Sequence, residues 1–189
     1  MLEIRWHGRG GQGNWSASQI LAAAAISVGK YVQSFPEFGP ERTGAPVRAF
    51  NRISDGPIYV HAQVYEPDAV VVIDPSLLKY REVILAGLKK GGHLLVNSPL
   101  SPGEVRSKMG VDPSVSVWSV DATTIALEEI GRAVTNTPMA GALVRALGVV
   151  PLEALFEAIR AKWSPDIAEK NIRAVKRAYE EVKGSPGGG

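Results

Sequence analysis

The sequence of 189 residues contains no cysteine, and this absence excludes several kinds of chemistry at once. Without thiols the chain has no disulfide and no thiolate nucleophile, and it cannot ligate an ordinary iron–sulfur cluster by itself. Its three histidines, at positions 7, 61 and 93, lie far apart and form no H-E-x-x-H or comparable ligand spacing. We therefore expect no metal site in this chain.

An excess of charge of one sign and long apolar runs are also lacking. The formal net charge is only +2, from 21 basic and 19 acidic residues, which argues against a dedicated nucleic-acid binder. No apolar run reaches the length of a membrane span, and the first residues do not have the pattern of a secretion signal. These features predict a cytoplasmic protein that contacts neither nucleic acid nor a membrane.

Apolar periodicity and turn residues predict an α/β fold. Strands are expected at residues 2–6, 31–35, 46–53, 69–73, 93–96 and 114–120, with a hairpin-type turn at Asp55-Gly56-Pro57 leading into a further strand at 58–63. Helices are expected at 15–28, 77–88, 122–129, 138–147, 151–163 and 166–183. The pattern predicts one domain over residues 1–183, a Rossmann-like three-layer α/β/α fold with a mostly parallel, mixed sheet and a helical C-terminal extension. Residues 184–189 are expected to form a flexible tail.

The most informative segment is His7-Gly8-Arg9-Gly10-Gly11-Gln12-Gly13, which follows an apolar strand and precedes an alanine-rich helix. The N-terminus of such a helix presents unpaired backbone N–H groups and the positive pole of the helix dipole, which suits a phosphate or another anion. A tight turn accounts for some of the glycines, but four glycines with an inserted glutamine favour a loop that faces a nucleotide or phosphate.

Three of these glycines, at positions 8, 10 and 13, also fit the dinucleotide-binding pattern G-x-G-x-x-G. That pattern requires an acidic residue at the end of the second strand to hold the ribose hydroxyls. Residues 33–35 are Gln-Ser-Phe, and Glu37 comes only after a proline. A working NAD site is therefore not expected.

Two further segments are candidates for a functional role. Three prolines and two glycines stiffen the loop at residues 35–46, and Glu37, Glu41 and Arg42 add charge to it. Such a loop is typical of recognition, although the sequence alone does not choose between a ligand and a partner chain. At residues 136–142, Asn136 or Thr137 is expected to cap a helix that begins at residue 138, and the glycine at 141 to permit close helix contact.

These segments together resemble a known family. Residues 7–13 resemble the H-G-x-G-G-Q-G signature of the gamma subunit of 2-oxoacid:ferredoxin oxidoreductases, the pyruvate synthase group, and residues 35–46 resemble its F-P-x-F-G-P-E-R-x-G-A-P stretch. Thr43 stands where many members carry a second arginine. Further similarity follows in order at residues 52–58, 67–76, 136–137 and 171–172, so the resemblance extends over nearly the whole chain, to about residue 183.

The resemblance implies one subunit of an oxidoreductase complex that is not active alone. The complex would cleave a 2-oxoacid, for which pyruvate is our expectation, on thiamine diphosphate with magnesium. It would pass electrons through iron–sulfur clusters to ferredoxin and transfer the acyl group to coenzyme A. This chain has neither cysteines nor a G-D-G motif followed by an asparagine ligand, so alpha-, beta- and delta-type partner subunits would hold those cofactors.

For this chain the resemblance implies a contribution to the coenzyme A or active-site cleft and to assembly, with no catalytic residue of its own. Glycines would let the backbone approach the ligand, Gln12 would form hydrogen bonds there, and Glu41 and Arg42 would order the second loop or bridge to a neighbour. The residues expected in the cleft are Gly8, Gly10, Gly11, Gln12, Gly13, Glu41 and Arg42. The alternatives are an assembly subunit that touches no ligand and, less favoured because the ribose-binding acid is missing, a stand-alone NAD(P) oxidoreductase.

Overall fold

A computed structural model of the chain describes residues 1–37 and 44–188, and in these residues seven strands form one sheet. The strands are β1 (Leu2–Arg9), β2 (Tyr31–Pro36), β3 (Pro46–Ser54), β4 (Ala69–Val72), β5 (His93–Asn97), β6 (Ser116–Val120) and β7 (Lys183–Ser185). The helices are α1 (Asn14–Ser27), α2 (Arg81–Leu85), α3 (Pro102–Met109), α4 (Ala122–Ile130), α5 (Asn136–Leu147), α6 (Leu152–Lys162) and α7 (Pro165–Glu181), and a 3-10 helix (Pro75–Tyr80) precedes α2.

The sheet is mixed, with the strand order β2-β3-β1-β4-β5-β6-β7. Strands β1, β4, β5 and β6 run parallel to one another, whereas β2, β3 and β7 join the sheet through antiparallel pairings. After β1 the chain first builds β2 and β3 on one side of that strand and then returns to add β4 on the other side. The carboxyl ends of β1 and β4 therefore meet at the point where the strand order reverses, which is where open α/β sheets bind ligands.

Helices cover the two faces of the sheet and give the expected α/β/α layers. Two strands show these layers. Ile4 and Trp6 of β1 lie in one core with α1 and α4–α7, whereas Val70 and Val72 of β4 lie in a second core with the 3-10 helix, α2 and α3. The buried indole N–H of Trp6 donates to Oδ1 of Asn51 at 2.7 Å, so the large ring is fully buried without an unpaired polar atom. This packing fixes the end of β1 firmly.

Three local expectations differ from the structure. Residues 58–63 were expected to form a strand paired with β3, but they form none, because β1 and β2 already occupy both sides of β3. The expected helix at 77–88 is divided into the 3-10 helix and α2, and the unexpected helix α3 starts with a capping box between Ser101 and Glu104. The tail, expected to be flexible from Gly184, instead begins with β7, which pairs with β6.

Candidate ligand-facing loop at the end of the first strand

The glycine-rich segment forms the predicted strand, turn and helix. The strand is longer than expected, because His7, Gly8 and Arg9 still belong to β1, and α1 begins at Asn14. Between them the chain turns through residues 10–13, with left-handed backbone conformations at Gly11 (φ 86°) and Gly13 (φ 81°). The segment therefore lies at the reversal point of the sheet, where its turn faces outward.

Two glycines of this segment are required because other side chains occupy the space of a Cβ. A Cβ on Gly8 would lie 2.3 Å from Oδ1 of Asn14, and one on Gly13 would lie 2.7 Å from Nδ2 of Asn136. The Asn14 amide is buried and donates to the Val47 carbonyl at 3.0 Å, so it cannot move away easily. The first residue of α1 thus packs on the end of β1, and the first residue of α5 packs on the glycine turn.

The N-terminus of α1 carries the unpaired donors that the sequence predicts. Ala17 is the first residue of this helix whose N–H bonds within the chain, to the Gly13 carbonyl at 2.9 Å. The N–H groups of Asn14, Trp15 and Ser16 have no hydrogen-bond partner among the described residues, and the first turn holds no acidic side chain. This end of the helix can therefore accept an anion from outside the chain.

The side chain of Gln12 points into the protein. Its Oε1 accepts the N–H of Arg9 at 2.7 Å, and its Nε2 donates to Oδ2 of Asp74 at 2.5 Å. Both polar ends of the amide are therefore paired within the chain.

Asp74 follows β4 and connects three parts of the site. Its Oδ1 accepts the Ser76 N–H at 2.7 Å, which caps the 3-10 helix as expected for a strand end followed by a helix, and its Oδ2 lies 3.3 Å from Nε of Arg9. Burial alone would raise the pKa of this carboxyl, but the hydrogen bonds from Ser76 and Gln12 and the charge of Arg9 outweigh it and hold the pKa below its usual value. The side chain is thus a carboxylate at neutral pH.

Arg9 links the glycine turn to the end of the second predicted loop. Its Nη1 donates to the Gly44 carbonyl at 2.9 Å, and its Nε and Nη2 donate to Oγ of Ser76 at 3.0 and 2.9 Å. The backbone of Gly10 is also paired there, with the Ala45 carbonyl at 2.8 Å and the Gly44 N–H at 3.2 Å. The two segments singled out in the sequence therefore meet at Gly10.

The second loop is described up to Glu37 and again from Gly44 onwards. Glu41 and Arg42, both expected in the cleft, lie outside the described residues, as does Thr43. On the near side, the Glu37 carboxylate forms an ion pair with Arg48, with Nε to Oε2 at 2.9 Å. Glu37 therefore serves a local contact with β3.

His7 is a buried histidine whose ring is hydrogen-bonded within the chain. The side chain is 4% exposed, and its Nε2 accepts a hydrogen bond from Nε of Arg5 at 2.9 Å. Burial, together with the nearby Arg5 and Arg48 cations, lowers the pKa of His7 to about 3. The ring is therefore neutral at physiological pH.

The 136–142 segment packs helices together, with one correction to its expected start. Helix α5 begins at Asn136 with Thr135 at the N-cap position, so both expected residues lie in its first turn, where Oδ1 of Asn136 accepts the Thr137 N–H at 2.9 Å. The hydroxyl of Thr137 instead donates to Oδ1 of Asn171 at 2.7 Å in the buried contact with α7. A Cβ on Gly141 would lie 2.6 Å from the Val175 carbonyl, which confirms the expected close approach of two helices.

Comparison with known proteins identifies the family. A model of the pyruvate ferredoxin/flavodoxin oxidoreductase family matches residues 3–181. The chain belongs to this family. It is 54% identical over 186 residues to pyruvate synthase subunit PorC of Thermotoga maritima, covering 96% of this chain and 95% of that protein. It is 51% identical over 182 residues to the common gamma subunit of the pyruvate/ketoisovalerate oxidoreductases of Thermococcus litoralis, covering 96% and 97%.

One solved structure supports the same assignment, and a second, more distant one shares the fold. The Thermotoga maritima pyruvate oxidoreductase subunit PORC matches with a TM-score of 0.87 at 53% identity, over 97% of this chain and 98% of that one. A 2-oxoglutarate:ferredoxin oxidoreductase from Magnetococcus marinus shares the fold at 20% identity and a TM-score of 0.77, where this chain corresponds to 30% of the longer chain. The chain is thus the gamma subunit of a pyruvate (2-oxoacid):ferredoxin oxidoreductase complex, as its motifs indicated.

The described part of this gamma subunit shows neither a metal-binding cluster nor a membrane-spanning helix. No group of three or more histidine, aspartate or glutamate side chains there is arranged to hold a metal ion. None of the described helices is long and apolar enough to cross a membrane.

Sequence reasoning missed the residues that brace the glycine turn. Arg9 occupies the variable position of the motif, and Asp74 and Ser76 have no signal in the sequence beyond the family resemblance at residues 67–76. Asp74 follows the strand next to β1, and the carboxyl ends of adjacent parallel strands lie together. That adjacency was the available signal, but it requires the strand order to be known.

Proposed function

We propose that this gamma subunit forms one wall of the coenzyme A cleft in its oxidoreductase complex. The observation that supports the proposal is the N-terminus of α1, where the N–H groups of Asn14, Trp15 and Ser16 have no partner among the described residues. This end lies at the reversal point of the sheet and is followed by no acidic side chain in the first turn. Coenzyme A carries phosphate groups, whose negative charge such a helix end stabilises.

The remaining chemistry belongs to companion subunits under this proposal. The chain has no thiol for an iron–sulfur cluster and no G-D-G motif for thiamine diphosphate and its magnesium. Alpha-, beta- and delta-type subunits would hold these groups, cleave the 2-oxoacid and pass the electrons to ferredoxin. The gamma subunit would add backbone donors and a fixed loop shape to the cleft.

The geometry argues against a stand-alone NAD(P) oxidoreductase. In dinucleotide-binding folds the ribose is held from the strand beside β1, whereas here β3 separates β2 from β1. The first acidic residue after β2, Glu37, is paired with Arg48. We expect the isolated chain to bind NADH weakly at most, which a fluorescence titration can check.

A substitution at Gly11 tests the cleft directly. Gly11 has φ 86°, a Cβ there would have no atom of the described residues within 4 Å, and asparagine tolerates this backbone conformation better than other side chains. Gly11→Asn should therefore leave the fold intact while placing a side chain where the ligand approaches the turn. We expect the KM for coenzyme A of the reconstituted complex to rise about tenfold or more with little change in kcat.

Gly29 provides the matched control. It has φ 84° and equally open surroundings among the described residues, but it lies after the far end of α1. Gly29→Asn should leave the KM for coenzyme A unchanged. Equal KM values in both variants and the unsubstituted complex would contradict the proposal, and loss of assembly by Gly11→Asn alone would favour an assembly subunit that touches no ligand.

A further inference from the structure

The glycine turn has few interactions that fix its own shape. Gly10, Gly11 and Gly13 carry no side chains, and Gly11 is exposed. Within the turn the Gln12 N–H donates to the Arg9 carbonyl at 3.1 Å. A glycine-rich segment of this kind loses much conformational entropy when it is ordered. Its conformation must therefore depend on contacts with neighbouring segments.

One of these neighbours is Asp74, to which two side chains of the segment converge. The Gln12 amide donates to Oδ2 at 2.5 Å, and Nε of Arg9 lies 3.3 Å from the same oxygen. Asp74 is itself held at the start of the 3-10 helix by the Ser76 N–H and is 8% exposed. A buried, fixed carboxylate thus connects the turn after β1 to the end of β4.

A second aspartate shows what capping alone requires. Asp121 also follows a parallel strand and caps the next helix, accepting the N–H of Thr124 at 3.0 Å and its hydroxyl at 2.8 Å. The hydrogen bonds of its side chain within the described residues are both to that one threonine. The contacts of Asp74 with Gln12 and Arg9 therefore exceed what a helix cap needs.

We infer that Asp74 is a positioning residue, which acts through Gln12 and Arg9 to hold the glycine turn in the shape that receives coenzyme A. The inference rests on the proposed cleft. In this arrangement the side chain of Gln12 holds the loop through its hydrogen bonds to Arg9 and Asp74, and the ligand contacts only the backbone. Because the donors are fixed before binding, the complex does not have to order them when the ligand arrives.

An exchange of the two interacting groups tests this pairing. Gln12→Glu places a second carboxylate against Asp74 and removes the Nε2 donor, so the turn should lose its anchor. The double variant Gln12→Glu/Asp74→Asn restores the pair with reversed roles. The introduced carboxylate can accept the Arg9 N–H and the new amide N–H, and the new amide oxygen can accept the Ser76 N–H.

Two measurements on the assembled complex distinguish the role of Asp74 in holding the turn from the binding of coenzyme A by the turn. Without coenzyme A, amide hydrogen exchange in residues 9–16 should be faster in Gln12→Glu and Asp74→Asn than in the unsubstituted complex, and slow again in the double variant. The KM for coenzyme A should rise about tenfold or more in the single variants and recover in the double variant, since misplacement of about 1 Å can cost about a hundredfold. Asp121→Asn, the control, should change neither quantity.

The outcomes have distinct meanings. Unchanged exchange in both single variants, or failure of the double variant to restore it, would overturn the role of Asp74. Faster exchange with an unchanged KM would overturn the assignment of this turn to coenzyme A while supporting the role of Asp74 in holding the turn. Faster exchange and a raised KM, both reversed in the double variant, would support the inference as a whole.

Discussion

Burial of His7 as a neutral ring makes the stability of the fold depend on pH, and the size of the effect follows from the structure. The ring is 4% exposed and accepts a hydrogen bond from Arg5, so a proton on its Nε2 would break that bond and set two cations together. The pKa of His7 is lowered to about 3 in the folded chain, against about 6.5 in the unfolded chain. The stabilisation is fully present above pH 6.5 and is lost as the pH falls from there towards 3.

The magnitude can be worked out from this difference. Between pH 6.5 and 3 the unfolded chain binds a proton that the folded chain does not, so each pH unit removes about 1.4 kcal/mol from the free energy of unfolding. Lowering the pH from 7 to 5 should therefore cost about 2 kcal/mol through His7 alone. Because carboxylates and His93 add their own dependence, the comparison has to be made against a variant that lacks this ring.

His7→Gln is the suitable variant, since its amide oxygen can still accept the hydrogen bond from Arg5. Urea unfolding of the isolated chain at pH 7 and pH 5 should give a pH-dependent loss about 2 kcal/mol smaller in His7→Gln than in the unsubstituted chain. An equal loss in both proteins would refute the reasoning. So would a His7 ring signal that titrates near pH 6.5 in an NMR experiment on the folded chain.

Two further predictions concern glycines at close contacts, and urea unfolding tests both. Gly141→Ala should destabilise the chain by about 1–3 kcal/mol because its methyl group would meet the Val175 carbonyl, whereas Gly103→Ala, in an open position of α3, should be neutral or slightly stabilising; equal effects would contradict the close helix contact. Gly8→Ala should cost a similar 1–3 kcal/mol through collision with the Asn14 amide, and adding Asn14→Ala should recover part of that loss. Additive losses in that double variant would show that the two residues do not compete for the same space.

The beginning of the fold could be predicted from the sequence because its signals are local. An apolar strand, a glycine turn and an alanine-rich helix are consecutive in residues 2–28, and the structure confirms all three. The false strand at 58–63 shows the limit of such signals. Its residues favour β-structure, but the strand order leaves β3 no free side, and strand order is a property of the whole chain.

In the candidate site, too, local patterns could be identified from the sequence, whereas contacts between distant segments could not. The glycines at 8, 10, 11 and 13 could be identified from their pattern, and the turn formed by the last three lies between a strand and a helix, as the pattern implies. The function of Gln12 within that turn could not, because its partner Asp74 is 62 residues away and becomes its neighbour only when β1 and β4 pair. Helix α3, in contrast, could have been found from Ser101 and Glu104, whose spacing is that of a capping box.

The central claim is that the glycine turn and the first residues of α1 contact coenzyme A, and amide hydrogen exchange in the assembled complex tests it most directly. Exchange should be compared with and without saturating coenzyme A, in peptides from all subunits. The account predicts slower exchange in residues 10–16 of this chain when coenzyme A is present. Protection confined to the other subunits, with residues 10–16 unchanged, would contradict it.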